Sequence, residues 1–297
     1  MIIIEDPYQL SPAGMWLRGN LHTHTTRSDG SQPPQKVIDD YAARRYDFLM
    51  LSDHDIYTSP EDLARLDARG MVLIPGNEVT AAGPHLLHVN AGKEVEPNPC
   101  RQVVLQEVTA TGGGFSIVCH PNWQERFDHA TIAQLTEWTG YAGIEIYNGV
   151  IGILDGSPYA TNKWDMLLSR GRRVWGYAHD DHHGRGPENG IGLGWNMVYA
   201  QTKSREEIVA ALQRGRFYAS TGIIIKDIRV HGAAIRIETA NAARIVALRD
   251  VGKRIAQADE RFLEVEVPPD ANYVRFECWG TGEQFAWTQP FFVRESL

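Results

Sequence analysis

From Met15 to about Thr221, short apolar runs alternate with segments in which apolar residues recur every three or four positions. That alternation is the pattern of repeated strand and helix units around a parallel sheet or barrel. The predicted strands are residues 16–21, 48–51, 72–75, 86–90, 115–119, 143–147 and 173–177. Between them, Pro33-Pro34 opens a helix that gathers Val37, Ile38, Tyr41 and Ala42 on one face. Ser59 caps a second helix that runs to Gly70, and Ser204 with Glu207 forms a capping box for a third that Gly215 closes.

After Gly222 the period changes to two. Residues 223–230, 234–238, 244–248, 262–267 and 273–279 are short alternating runs between turn residues, with no helix of useful length. They predict a small antiparallel, β-sandwich-like domain over 222–297, beside an α/β domain over 1–221. The first fourteen residues would add an edge strand to either part.

Composition narrows the function classes. With 43% hydrophobic and 22% charged residues in 297, the chain is globular, which excludes disordered, collagen-like and coiled-coil classes. A net charge of −8, no run of Lys or Arg and no helix-turn-helix signal argue against long nucleic acid as a partner. The N-terminus has no basic segment ahead of an apolar one, and no stretch approaches the ~18 apolar residues of a membrane span, so a cytoplasmic protein without a membrane partner is expected. Three widely spaced cysteines, Cys100, Cys119 and Cys278, write neither a disulfide framework nor a cysteine-based zinc knuckle. Metal chemistry therefore falls to His, Asp and Glu.

Most of the eleven histidines follow directly on a predicted strand. In a barrel of strand-helix units the C-terminal strand ends converge on one face, where active sites form. His22 and His24 are two apart after a strand, so both rings point to the same side. Asp29, Asp53-His54, Glu78, His88, His120 and Asp181-His182-His183 repeat the placement. So many imidazoles and carboxylates exceed what one ion can use, and the nitrogen and oxygen set suits a cluster of two or three Zn²⁺, Mn²⁺ or Fe²⁺ ions.

Four motifs in order over residues 16–185 resemble those of the PHP (polymerase and histidinol phosphatase) superfamily: L-His22-T-His24-T-x-x-Ser28-Asp29-Gly30, Ser52-Asp53-His54, Cys119-His120-Pro121 and Asp181-x-His183. The resemblance implies a distorted (β/α)7 barrel, a metal cluster that is most often trinuclear, and phosphoesterase activity. It also implies that His22, His24, Glu78 and Asp181 hold one ion, that Glu78 bridges to a second held by His88 and His120, and that Asp29, His54 and His183 hold a third. More loosely, Glu145-x-Tyr147-Asn148-Gly149, Trp164-Asp165, the run Gly215-x-Phe217 to Gly222 and the β-rich tail resemble a PHP-like subgroup that includes carbaryl hydrolases, which cleave a carbamate ester.

Two registers stay open. The last motif more often reads Gly-x-Asp-x-His, so Asp180 and His182 compete with Asp181 and His183. In the HLLHVN run, His85 and His88 face opposite sides of a strand, and the likeness of His-Val-Asn-Ala to the subgroup favours His88. Asp53 is expected to orient a ligand imidazole, Cys119 to be a buried structural thiol, and His129 and His231 to lie on the surface. Arg27 and Arg185 flank the motifs and would either grip a phosphate or sit solvated in loops, while Asn148 is an even candidate for a substrate contact. The expected reaction is hydrolysis of a small anionic phosphate ester, a metabolite or nucleotide, by metal-activated water. Hydrolysis of a carbamate, amide or ester is the alternative, and His179 or His182 would supply the leaving-group proton.

Overall fold

The computed structural model describes residues 2–184, 186 and 190–295. It is a mixed α/β fold in which two sheets converge on the ligand motifs. One has five strands in the order Gly76–Val79, Leu86–Val89, Phe115–Val118, Tyr141–Asn148 and Trp175–His179, of which the last three run parallel. The larger contains Phe217–Ser220, Trp195–Ala200, Met15–Asn20, Phe48–Met50 and Val72–Ile74 in that order. Strands such as Phe48–Met50 are apolar and buried throughout, as expected where helices cover one face and the interior the other. Helix Pro34–Ala43 buries Val37, Ile38 and Tyr41, the stripe its sequence period predicts. The Ser59 cap forms, reciprocated by Asp62, but its α-helix spans only Pro60–Leu63 because beyond Leu63 the chain turns outward through exposed Arg65 and Arg69.

Among the described residues the ladders do not close into the expected (β/α)7 barrel. On one side, Pro75 separates Val72–Ile74 from Gly76–Val79, and a residue without an N–H cannot carry a ladder across. On the other, side-chain amides stand in for backbone. Asn196 Nδ2 donates to the Ala178 carbonyl at 2.9 Å while its Oδ1 accepts from the Ala178 N–H at 3.2 Å. Gln289 makes the same pair of bonds to Gly176, at 2.8 and 2.9 Å.

Gln289 belongs to the tail, and the tail is continuous with the rest. Phe217–Ser220 pairs with Phe285–Thr288, matching Tyr218 to Thr288 and Ser220 to Ala286, so the large sheet crosses the expected boundary at Gly222. Ile2–Glu5 adds the outer strand by pairing with Phe291–Glu295. Buried Arg275 grips Asp165 of helix Thr161–Ser169 through Nε at 2.8 Å and Nη2 at 2.6 Å. A separate three-stranded sheet, Ile225–His231, Ala234–Thr239 and Phe262–Glu266, covers the tail's own apolar cluster. No described helix is long and apolar enough to cross a membrane.

Candidate metal centre

Two buried carboxylates, Glu78 and Asp181, form the middle of the site. His22 Nε2 lies 3.3 Å from Glu78 Oε1 and 3.1 Å from Asp181 Oδ1, and His24 Nε2 lies 3.5 Å from Glu78 Oε2 and 3.0 Å from Asp181 Oδ1. His120 Nε2 reaches Glu78 at 3.5 Å, and His54 Nδ1 reaches it at 2.8 Å. Asp29, half-exposed at the rim, stands 3.3 Å from His183 Nε2 and 3.6 Å from His54 Nε2. Eight of the nine predicted ligands are thus brought together: His22, His24, Asp29, His54, Glu78, His120, Asp181 and His183.

His88 is not among them. Residues 87 and 89 of its strand pack into the interior cluster with Phe48 and Met50, whereas Leu86 faces the core that holds Leu105 and Val108, and His88 shares that outward phase. Its two ring nitrogens have no partner, and burial pushes its pKa down to about 4. His85 is the residue of that run that reaches the cluster, with its Nδ1 3.0 Å from Glu78 Oε1. His129, expected at the surface, is buried, accepts the His85 N–H on Nε2 at 2.9 Å and packs against the His120 ring. Cys119, expected to be a buried structural thiol, is buried and places its sulfur within 4.8 Å of donor atoms of His22, Glu78 and His120, and burial keeps it protonated.

The two candidate acids of the last motif lie in different surroundings. Asp180 is buried beneath the site, accepting the N–H groups of Gly192, Leu193 and Gly194 and the Tyr41 hydroxyl, while Asp181 faces the imidazoles. Asp181 and His120 both adopt left-handed backbone, φ +53° and +24°, a strain that aims their side chains inward and persists only where surroundings enforce it. Asp53 touches no imidazole; it accepts from Thr25 N–H, Thr25 Oγ1 and Ser28 Oγ, fixing the turn that presents Asp29.

Sequence reasoning assigned no role to Glu145. Its Oε1 accepts from Nδ1 of His22 and of His179, both at 2.7 Å, and its Oε2 accepts the His120 N–H. An imidazole that donates from Nδ1 to a carboxylate keeps its Nε2 lone pair free, the tautomer a metal requires. An acid inside the apolar strand Tyr141–Asn148, three residues before its end, was the available signal. Asn148 donates to Glu145 Oε2 and Asp181 Oδ2, at 2.7 and 3.1 Å. Arg27 is engaged away from the cluster with Thr58 Oγ1, at 3.0 Å. Arg185 lies outside the described residues. Neither His179 nor His182 lines the cavity at the site: His179 is fully buried behind His22, and His182 turns toward Gln32.

Electrostatics match the geometry. Burial alone would raise the Glu78 carboxyl, yet His22 and His85 hold it well below the ordinary range; the Asp181 carboxyl, equally buried, is held low by His22 and His24. His183 keeps Asp29 at about 2. Burial opposes the His54 imidazolium, but Glu78 and Asp29 carry its pKa up to about 9.

Whether metal ions fit is answered by the unsatisfied atoms. His22 Nε2, His24 Nε2, Glu78 Oε2 and Asp181 Oδ1 are buried without a well-formed hydrogen bond. Donors bound to one ion at about 2.0–2.1 Å in tetrahedral geometry lie roughly 3.3 Å apart, close to the 3.0–3.5 Å between neighbouring members of this set. Orphaned polar atoms in such density cost several kcal/mol unless a cation satisfies them. The donor set fits divalent ions.

A solved two-domain structure from Bacteroides vulgatus, described as containing a predicted PHP-like metal-dependent phosphoesterase, aligns with 99% of this chain and 91% of its own, at a TM-score of 0.55 and 16% identity. This chain shares that fold. The fold likeness takes in both the part of the chain that carries the cluster and the continuous tail, since the alignment covers 99% of the residues. A curated relative, the 3',5'-nucleoside bisphosphate phosphatase of Chromobacterium violaceum, is 38% identical over 80 residues, 26% of this chain. The chain spans 28% of that relative's length. No family model matches the chain.

Proposed function

We propose that this PHP-like chain is a metal-dependent phosphoesterase that hydrolyses a small phosphorylated metabolite or nucleotide. The observation that carries the reading is the pair of ionised, buried carboxylates, Glu78 and Asp181, ringed by imidazoles at 2.8–3.5 Å, beside a cavity of about 340 Å³ that Asp181, His54, His85, His120 and His183 line. The phosphatase activity named for the Chromobacterium relative supports the same class. We read His22, His24, Glu78 and Asp181, then Glu78, His85 and His120, then Asp29, His54 and His183, as the donors for two or three Zn²⁺, Mn²⁺ or Fe²⁺ ions. Such ions, when bound, supply Lewis acidity toward the phosphoryl oxygens and lower the pKa of water.

The chain's own residues do the rest. Glu145 fixes the His22 tautomer, and Asn148 holds Asp181 and Glu145 in register at the strand end. In the overall reaction water's oxygen becomes bonded to phosphorus, the bond from phosphorus to the alcohol oxygen breaks, and the alcohol leaves with a proton.

The test is metal analysis of freshly purified protein together with a panel of phosphomonoesters, cyclic phosphodiesters and aryl carbamates. Two or more equivalents of metal and turnover of a phosphomonoester, lost in Glu78→Gln, are expected. Turnover of carbamates with every phosphate ester inert would replace the phosphoesterase reading with the carbamate one.

A further inference from the structure

The cavity at the metal centre has two unlike halves. Beside the imidazoles stands an apolar group, Trp123, Val150, Ile151, Ile153 and Leu154, with no charged or hydroxyl side chain beyond the metal-centre residues among the described lining residues. Ile153 and Leu154 are 48% and 47% exposed, large aliphatic groups offered to water at the mouth of a charged site. Water-facing apolar surface forgoes about 25 cal/mol for each Å² that a ligand could cover, and a patch of this kind beside a polar centre marks a binding surface.

The wall is preformed. The segment Val150–Ile153 leaves directly from the strand that carries Glu145 and Asn148, and the Gly149 N–H is tied to the His179 carbonyl at 2.9 Å. The Gln124 N–H donates to Asp155 at 2.8 Å and the Ser157 N–H to Asn122 at 3.0 Å, which zips the Trp123 turn to the end of the aliphatic segment. Trp123 is held by ring contacts to His120 and His129, with centroids 5.0 and 4.8 Å away.

We propose that this wall is the leaving-group subsite and that it takes a flat apolar ring, so that the preferred substrates are phosphate esters of aromatic alcohols. The inference rests on reading the charged half as the hydrolytic centre. A phosphomonoester carries one organic group, so with phosphorus at the carboxylates and imidazoles, whatever covers Trp123, Ile153 and Leu154 is the departing alcohol. An aromatic alcohol has a pKa near that of a tyrosine, about 10, and departs as the aryloxide with the electron pair of the broken bond, taking its proton from solvent. That chemistry needs no strong acid on the apolar side, and the described residues there supply none.

The experiment compares the metal-loaded protein with the double variant Ile153→Asp, Leu154→Asp, both surface changes. kcat and KM are measured for 4-methylumbelliferyl phosphate and for glycerol 3-phosphate, and binding of free 4-methylumbelliferone is followed by its fluorescence anisotropy. The ratio of kcat/KM for the aryl ester over the glycerol ester should fall about tenfold or more in the variant, chiefly through KM, with loss of umbelliferone binding. An unchanged ratio, or umbelliferone that binds both proteins alike or neither, overturns the subsite. Umbelliferone binding that is lost in the variant while no phosphate ester turns over in either protein leaves the subsite standing and removes the phosphoesterase reading instead.

Discussion

The Oε1 of Glu145 lies 2.7 Å from the Nδ1 of His22, at full burial for both residues. A buried carboxylate that accepts from Nδ1 leaves the Nε2 lone pair of His22 turned toward Glu78 and Asp181.

Glu145→Gln keeps the shape but replaces a pure acceptor with an amide that presents either a donor or an acceptor to Nδ1. Loss of such a supporting partner typically costs about 10–100-fold in metal affinity or activity. Metal titration of the variant by equilibrium dialysis, alongside kcat/KM, should show that loss with the fold intact by circular dichroism. Wild-type metal affinity would remove the orienting role.

The choice between His85 and His88 shows where the sequence stops being readable. Odd spacing establishes that the two face opposite sides of the strand, but the phase is set by what packs on each side: residues 87 and 89 meet the interior cluster, and Leu86 meets the helix layer. Neither neighbour is local in sequence. The His22 and His24 pair, by contrast, needs only the strand's two-residue period. Glu145 was visible as an acid inside an apolar strand, yet its partners are His22 and His179, far away along the chain. The closed barrel failed for a similar reason, since Asn196 and Gln289 replace backbone pairing with side-chain amides that no periodicity reports.

His85→Ala should therefore lower metal content and activity more than His88→Leu does. The His88 ring is buried, neutral and unpartnered, so an apolar side chain of similar size is close to neutral for stability. Elemental analysis of the two variants decides the matter: metal lost from the His88 variant and kept by the His85 variant would reverse the assignment.

Removing the ions should destabilise the chain. Glu78 and Asp181 are held ionised at full burial, and among the described residues it is the imidazoles, with the Asn148 amide on Asp181, that answer them when no cation is bound. A ligand that binds the native state a hundredfold above its Kd adds about 2.7 kcal/mol of stability. Calorimetry with and without a chelator should show a drop in Tm that re-addition of Mn²⁺ or Zn²⁺ reverses, and Glu78→Ala should show a smaller shift. Equal Tm values in all conditions would count against bound ions.

The boundary near Gly222 makes the last prediction, because the sequence suggests two domains and the hydrogen bonds join them. A chain cut after Thr221 loses the partner strand of Phe217–Ser220, the Gln289 amide that completes Gly176, and Arg275. Asp165 is then left without its guanidinium and without the Tyr273 hydroxyl, which donates to it at 2.8 Å. Breaking one side of a buried ion pair costs about 3–5 kcal/mol, a large share of the roughly 5–15 kcal/mol that holds a typical protein folded. Residues 1–221 alone should be insoluble or lack a cooperative melt. In the full chain Asp165→Ala should lower stability by about that amount, and Asp165→Leu with Arg275→Met should recover much of it, since removing both charges leaves neither one unpaired. A soluble 1–221 fragment with a sharp unfolding transition would show that the shared sheet and the Arg275 contact are dispensable. Independent domains would then be the better description.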